Sequence, residues 1–298
     1  MAYPERWRAV IAATGPLFPR APHPGRCNRT GHPALTRNDN SPPFAVTPRW
    51  PATLWIVRHG QSPGNVARDA ADEAGAHRIS LDHRDVDVPL SALGQAQAAA
   101  LGEWFAGVTE QQRPEIILPS PYVRAIETAE IFRASGGCPP HVGICHDERL
   151  REKEFGILDG LTRTGIAAAH PDQAAFRQLL GKFYHRPPGG ESWCDVILRL
   201  RSLLDTVSLH YGGRRVMIIA HQVVVLCLRT IIENLSEREI LAIDQAGDVA
   251  NCAITEYRLA GDAHGEGHLE LERYNVTAPT AEPIPVTRAP DVMVAARG

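Results

Sequence analysis

Leu54-Trp55-Ile56-Val57-Arg58-His59-Gly60-Gln61-Ser62 is the stretch whose reading decides the fold. The apolar run Thr53 to Val57 is short, uninterrupted and suited to a strand buried on both faces. It passes directly into Arg58-His59-Gly60. A second such run, Val216 to Ala220, passes directly into His221-Gln222. Doubly buried strands belong to parallel sheets covered by helices, and sites in such sheets collect beyond the carboxyl ends of the strands. Both histidines therefore fall where a site is expected.

Outward from these two strands, strand and helix patterns alternate. Ser91 to Gly107 is Ala-rich with helical periodicity, Ser91 as its N-cap and Gly107 as its stop. Glu115 to Leu118 reads as a strand, Tyr122 to Ser135 as a helix ending at Gly136-Gly137, and His141 to Cys145 as a further short strand. Pro171 splits two helices, Thr162 to His170 and Asp172 to Gly181. Gly189-Gly190-Glu191 is a loop from which Ser192 caps a long helix to His210. A helix from Val223 to Glu233 and strands from Cys252 to Leu259 and His268 to Tyr274 complete the pattern. The alternation predicts an α/β fold, a three-layer sandwich with a mostly parallel central sheet, over residues 51–276. Residues 1–50 are rich in Pro and Arg, with Pro19, Pro22, Pro24, Pro33, Pro42, Pro43 and Pro48, and predict a disordered extension. Residues 277–298 repeat that composition as a Pro-rich tail.

A chain of 298 residues, 44% hydrophobic and 22% charged, is long enough to bury a sizeable core. Its net charge of −3 provides no global basic field for nucleic acid or an anionic membrane, so an anion site must be built locally. No apolar run reaches the roughly 18 residues of a membrane span. The stretch Ala9 to Thr14 is too short for the core of a secretory signal. Six scattered cysteines, with no zinc-like spacing, predict reduced thiols and a cytoplasmic location.

A histidine that attacks an anion needs a neutral imidazole with fixed positive charge beside it. Arg58 adjoins His59, and Gly60 lets the backbone turn and approach a ligand. Ser62 and Asn65 offer donors at the start of a helix, whose N-terminus suits an anion. The plain alternative is a strand followed by a capped helix with a chance Arg-His pair. Arg124, in Ser120-Pro121-Tyr122-Val123-Arg124, falls in the first turn of a helix, unfavourable against the dipole unless an anion shares the site. Otherwise it is a surface arginine. In the run Asp147 to Gly156, Glu148, Glu152 and Glu154 compete for the role of an acid that protonates a leaving group. Composition does not choose among them. His221 is either a satisfied residue at a strand end or a donor to a phosphoryl oxygen.

In order along the chain, these residues resemble the histidine phosphatase superfamily, also called phosphoglycerate mutase-like. The resemblance begins at Leu54 to Ser62 with Asn65 and continues at Pro89-Leu90-Ser91-Ala92-Leu93-Gly94 and at Ser120-Pro121-Tyr122-Val123-Arg124-Ala125. It resumes at Leu150-Arg151-Glu152 with Gly156, at Gly190-Glu191-Ser192, and at Ala220-His221. A lone R-H-G is weak, whereas six motifs in order over roughly 52–260 are specific. The resemblance implies that His59 becomes phosphohistidine. Arg58, Arg124 and His221 would complete the phosphate pocket, which Asn65 lines. Glu152 would protonate the leaving group and then activate water. Gln61, Ser62 and Gln222 count among the substrate-binding positions. No metal and no organic cofactor are implied. Gln222 departs from the glycine of many members, but fructose-2,6-bisphosphatase domains also carry His-Gln there.

Phosphatase and mutase share the phosphohistidine step and differ in the second acceptor. Family mutases draw extra cations from a long insertion after the acid motif. Here Gly156 to Gly189 is only roughly thirty residues, with Arg163, Arg177, Lys182, Arg186, His170 and His185 but no Arg-Arg or Lys-Arg pair. A phosphatase acting on a phosphomonoester is the expectation. A mutase is the alternative, and a non-catalytic binder of phosphorylated ligands is the alternative of another class. The expected partner is a small phosphorylated metabolite or phosphopeptide, with no nucleic acid and no membrane. Tyr184, His185 and Arg186 are candidates to contact it. The oligomeric state is open, a dimer included.

Overall fold

The computed structural model of the chain describes residues 49–261 and 267–279. Its strands are β1 (Thr53–Arg58), β2 (Ile116–Pro119), β3 (Arg215–Ala220), β4 (Ile254–Ala260) and β5 (His268–Val276), ordered β2-β3-β1-β4-β5. β1 and β2 lie parallel to β3, β4 is antiparallel to β1, and β5 is antiparallel to β4. All strands but β4 therefore share one direction. The helices among the described residues are α1 (Pro63–Glu73), α2 (Ala92–Ala106), α3 (Val123–Ala134), α4 (Arg163–Ala169), α5 (Pro171–Tyr184), α6 (Trp193–His210), α7 (Gln222–Ile232) and α8 (Glu237–Ala246).

Strand alternation divides the core into two layers. Leu54 and Ile56 of β1 join Leu200, Leu203, Val224 and Leu228 of α6 and α7 on one side of the sheet. Trp55 and Val57 join Leu101, Phe105, Ala125 and Phe132 of α2 and α3 on the other. Burying each such side chain contributes about 1.5–3 kcal/mol, so a polar residue within Leu54 to Val57 of β1, buried along its whole length, would be strongly destabilising.

The expected α/β sandwich is present, with three local differences. His141 to Cys145 is not a strand: Ile144 alone bridges Ile117. Of the five residues only Val142 is buried, so no apolar face holds a longer ladder against β2. α8 was not anticipated, although Ser236 and Glu239 form a capping box at its start. α5 continues to Tyr184 beyond a kink at Gly181, where φ is 76°. The Pro-rich segments lie outside the described residues, except Arg49, Trp50 and residues 277–279.

Register positions the site. Arg58 sits opposite Ala220, so the residues that follow, His59 and His221, leave the sheet side by side. The His59 N–H still donates to the Ala220 carbonyl at 2.9 Å. Pro119 of β2 sits opposite Ile219, and the next N–H, of Ser120, donates to the Ile219 carbonyl at 2.8 Å. Three adjacent parallel strands thus deliver His59, His221 and Ser120 to one edge.

Candidate active site

His59 is buried, and its ring makes two informative hydrogen bonds. Nδ1 lies 2.7 Å from the Gly60 carbonyl, which can only accept. Nε2 lies 3.2 Å from Nε of Arg124, which can only donate. Both partners select the tautomer protonated on Nδ1, leaving the Nε2 lone pair facing Arg124. The backbone around the ring is also fixed. Asn251 Nδ2 donates to the His59 carbonyl at 3.0 Å, and the Gly60 N–H donates to Thr128 Oγ1 at 3.1 Å.

Arg124 rises from the first turn of α3 and is buried rather than a surface residue. Its Nη1 donates to the Asp85 carbonyl at 2.6 Å and its Nη2 pairs with the Asp85 carboxylate at 3.1 Å. The guanidinium also lies 4.9 Å from the Tyr122 ring centroid. Arg58 is fully buried, with Nη1 donating to the Val249 carbonyl at 2.5 Å. The His221 ring stands 5.1 Å from that of His59, centroid to centroid. His221 Nε2 is 2.8 Å from Ser120 Oγ and Nδ1 is 4.0 Å from Glu152 Oε2.

Geometry separates the three competing glutamates. Glu152 is buried beside His221, and its Oε1 accepts the Lys153 N–H at 2.8 Å. Glu154 is half-exposed and accepts from the Tyr122 hydroxyl at 3.3 Å. Glu148 starts a short turn, with no ion pair to either histidine among the described residues. The structure therefore brings together His59, Arg124, His221 and Glu152, while Arg58 adjoins His59 in the chain with its Nη1 on the Val249 carbonyl.

The remaining expected positions act partly as scaffold. Ser62 and Asn65 form a reciprocal capping box at the start of α1. Gln61 accepts from Ser91 Oγ at 2.7 Å through its side chain, and its N–H donates to Gln97 Oε1 at 2.9 Å. Gln222 donates to Asp248 Oδ1 at 2.9 Å. The loop after β1 runs against the first turn of α2 with no room for side chains: a Cβ on Gly94 would sit 2.0 Å from the Gln61 carbonyl oxygen. That contact explains why Gly94 belongs to the motif.

A basic pocket beside Glu152 and Gln222 was not foreseen as a unit. It is lined by Lys153, Arg177, Lys182, His185, Trp193 and Asp244 among others. Lys182 pairs with Asp244. Lys153 and Arg177 are buried and form no ion pair among the described residues. Lys153 lies 4.3 Å over the Phe155 ring, and Arg177 donates to the Lys182 carbonyl at 3.2 Å. Burial, then the charge of Arg177, pushes the Lys153 ammonium down to about 8. Burial pushes Arg177 down to about 10. Burial, then Arg177 and Lys153, lowers His185, whose buried Nε2 has no hydrogen-bond partner among the described residues. Of the three candidates for substrate contact, His185 lines this pocket. Tyr184 is exposed and Arg186 pairs with Asp195 at the surface. Asp85, Asn251 and Lys153 carried no sequence signal, since none stands in a motif that points to a histidine.

Residues 54–276 match the histidine phosphatase superfamily (branch 1), and the chain belongs to that family. Its curated relatives include a Caenorhabditis elegans 6-phosphofructo-2-kinase/fructose-2,6-bisphosphatase, 29% identical over 60% of this chain. The chain spans only 33% of that protein. A 2,3-bisphosphoglycerate-dependent phosphoglycerate mutase 2 of Gloeobacter violaceus is 29% identical over 65% of this chain and 81% of its own. Among solved structures, the mycobacterial glucosyl-3-phosphoglycerate phosphatase in complex with VO3 is 26% identical with a TM-score of 0.56, covering 76% of this chain and all of that one, 100%.

Proposed function

We propose that the chain is a phosphatase that hydrolyses a phosphomonoester through a phosphohistidine on His59, without metal or organic cofactor. The observation that carries this reading is the pair of hydrogen bonds on the His59 ring, which leave Nε2 with its lone pair facing a buried arginine. Nε2 attacks phosphorus in line as the bond to the ester oxygen breaks. Arg58, Arg124 and His221 stabilise the equatorial oxygens of a loose transition state. Glu152, protonated, gives its proton to the departing oxygen. It then takes a proton from the water that attacks phosphorus, releasing inorganic phosphate and restoring His59. Relatives named as phosphatases support water as the second acceptor.

The substrate is a small phosphorylated metabolite with a second anionic group, received by Lys153, Arg177 and His185. Lys153 and Arg177, buried and in no ion pair among the described residues, are disfavoured by burial, and the charge of Arg177 adds to this at Lys153. An arriving anion offsets that cost, with neutral His185 as a hydrogen-bond partner. The pocket encloses only about 20 Å³, so admitting such a group requires the lining side chains to move aside. The same cations favour a second reading, a mutase that holds a doubly anionic intermediate, because they supply charge close to Glu152. Product analysis separates the two. A phosphatase accumulates inorganic phosphate in step with substrate loss, whereas a mutase yields a phosphorylated isomer with little free phosphate.

A further inference from the structure

The Gly190-Glu191-Ser192 motif has no role in the chemistry above, yet it packs directly on the segment that carries Glu152. A Cβ on Gly156 would lie 2.1 Å from the Pro188 carbonyl oxygen, and one on Gly190 would lie 2.7 Å from the Glu154 carbonyl oxygen. The two segments are pressed together backbone to backbone. Glu191 N–H donates to the Glu154 carbonyl at 2.9 Å, and Glu154 N–H donates to Glu191 Oε2 at 3.1 Å.

Side chains complete the attachment. Arg199, two turns along α6, donates through Nε to Glu191 Oε1 at 2.9 Å and through Nη2 to Glu191 Oε2 at 3.1 Å. The same guanidinium reaches the acid segment at two backbone points, donating to the Arg149 carbonyl and, at 3.3 Å, to the Glu152 carbonyl. Arg151 Nη2 adds a third cationic donor on Glu191 Oε1 at 2.9 Å. Residues before, at and after Glu152 are thus tied to one ion pair. Among the described residues, neither Glu191 nor Arg199 hydrogen-bonds to His59 or His221.

We propose that Glu191 and Arg199 are positioning residues for the acid, holding the Glu152 segment so that its carboxyl stays beside His221 and the departing oxygen. This inference rests on the reading of Glu152 as the general acid. Burial opposes the Glu191 charge, but the Arg199 hydrogen bonds, the Glu154 N–H and Arg151 outweigh it and hold the carboxyl below its ordinary value. Glu191 therefore stays ionised at neutral pH. A misplaced acid matters in proportion to how much the leaving group needs its proton. A p-nitrophenolate departs with little help, whereas an alkoxide does not. Displacing a catalytic group by about 1 Å costs on the order of 100-fold.

The experiment compares p-nitrophenyl phosphate with glycerol phosphate for wild type, Glu191→Gln, Arg199→Lys, Arg199→Ala and Glu152→Gln. kcat and KM are measured together with thermal unfolding. Glu191→Gln and Arg199→Ala are expected to lose roughly 10- to 100-fold on glycerol phosphate in kcat/KM, which reports departure of the leaving group and not the later hydrolysis of phosphohistidine, and to change little in kcat/KM on p-nitrophenyl phosphate. Arg199→Lys recovers part of the loss. Glu191→Gln is nearly isosteric and carries the test if Arg199→Ala does not fold. Equal losses on both substrates, or none, with a leaving-group-selective loss in Glu152→Gln, would overturn the positioning role and leave the acid assignment standing. No selective loss in Glu152→Gln would remove the acid assignment, and the positioning role with it.

Discussion

Lys153→Met should make the protein more stable and a poorer enzyme at once. The Lys153 ammonium is held down to about 8 against an ordinary value of 10.5, with burial as the main cause. At 1.36 kcal/mol per pH unit, that difference corresponds to about 3 kcal/mol. The Phe155 ring at 4.3 Å returns about 1 kcal/mol through its cation–π contact. A net burden of about 2 kcal/mol remains. Methionine fills a similar volume without charge, so Lys153→Met is expected to raise Tm by roughly 4–8 °C at pH 7. The pH dependence follows from linkage. Below about 8 the lysine is charged in both folded and unfolded chains, so the burden is fully present. Between about 8 and 10.5 only the unfolded chain holds the proton, so wild-type stability rises with pH. The advantage of Lys153→Met should therefore shrink across that window. Calorimetry or chemical denaturation at pH 7 and above pH 10 reads both values. A variant less stable than wild type at pH 7, or a difference that does not change with pH, would refute the reasoning.

Two further outcomes follow from the same structure. KM for a substrate with a second anionic group should rise as pH passes about 8, where Lys153 loses its proton, while KM for p-nitrophenyl phosphate stays flat in wild type relative to Lys153→Met. Steady-state kinetics from pH 6 to 9.5 checks this, and parallel pH profiles for the two substrates would contradict it. Gly94→Ala forces a Cβ to within 2.0 Å of the Gln61 carbonyl oxygen, so it should destabilise by about 1–3 kcal/mol and lower kcat as the loop after β1 shifts. Unchanged melting and turnover would show that the contact yields without cost.

What the sequence carried was local. An apolar run of strand length passing into a histidine is visible in any single chain, and it placed His59 and His221 at the ends of β1 and β3. Parallel pairing of Arg58 with Ala220 then brings the rings together, a consequence of register that only the sheet supplies. The tautomer of His59 was not legible, because it depends on Arg124, 65 residues away. Asn251, which fixes the His59 carbonyl, is 192 residues away, and Asp85 lies 39 residues before its partner Arg124. Lys153 read as one more charge in a charged run, since burial and not residue type makes it unusual. The strand expected at His141 to Cys145 shows the converse: a plausible local pattern fails where only one of its side chains finds a core. α8 carried a readable signal in Ser236 and Glu239, but its few buried residues, Ile240 and Asp244, blur the periodicity.

The central claim is that His59 Nε2 accepts the phosphoryl group. Rapid mixing of the protein with p-nitrophenyl phosphate, a denaturing quench at alkaline pH and mass spectrometry of the peptides test it most directly. A phosphoryl group on the peptide that carries His59, lost on acid treatment and absent from His59→Ala with its fold intact, is the predicted result. Turnover that continues in His59→Ala, or a phosphoryl group on any other residue, would contradict it.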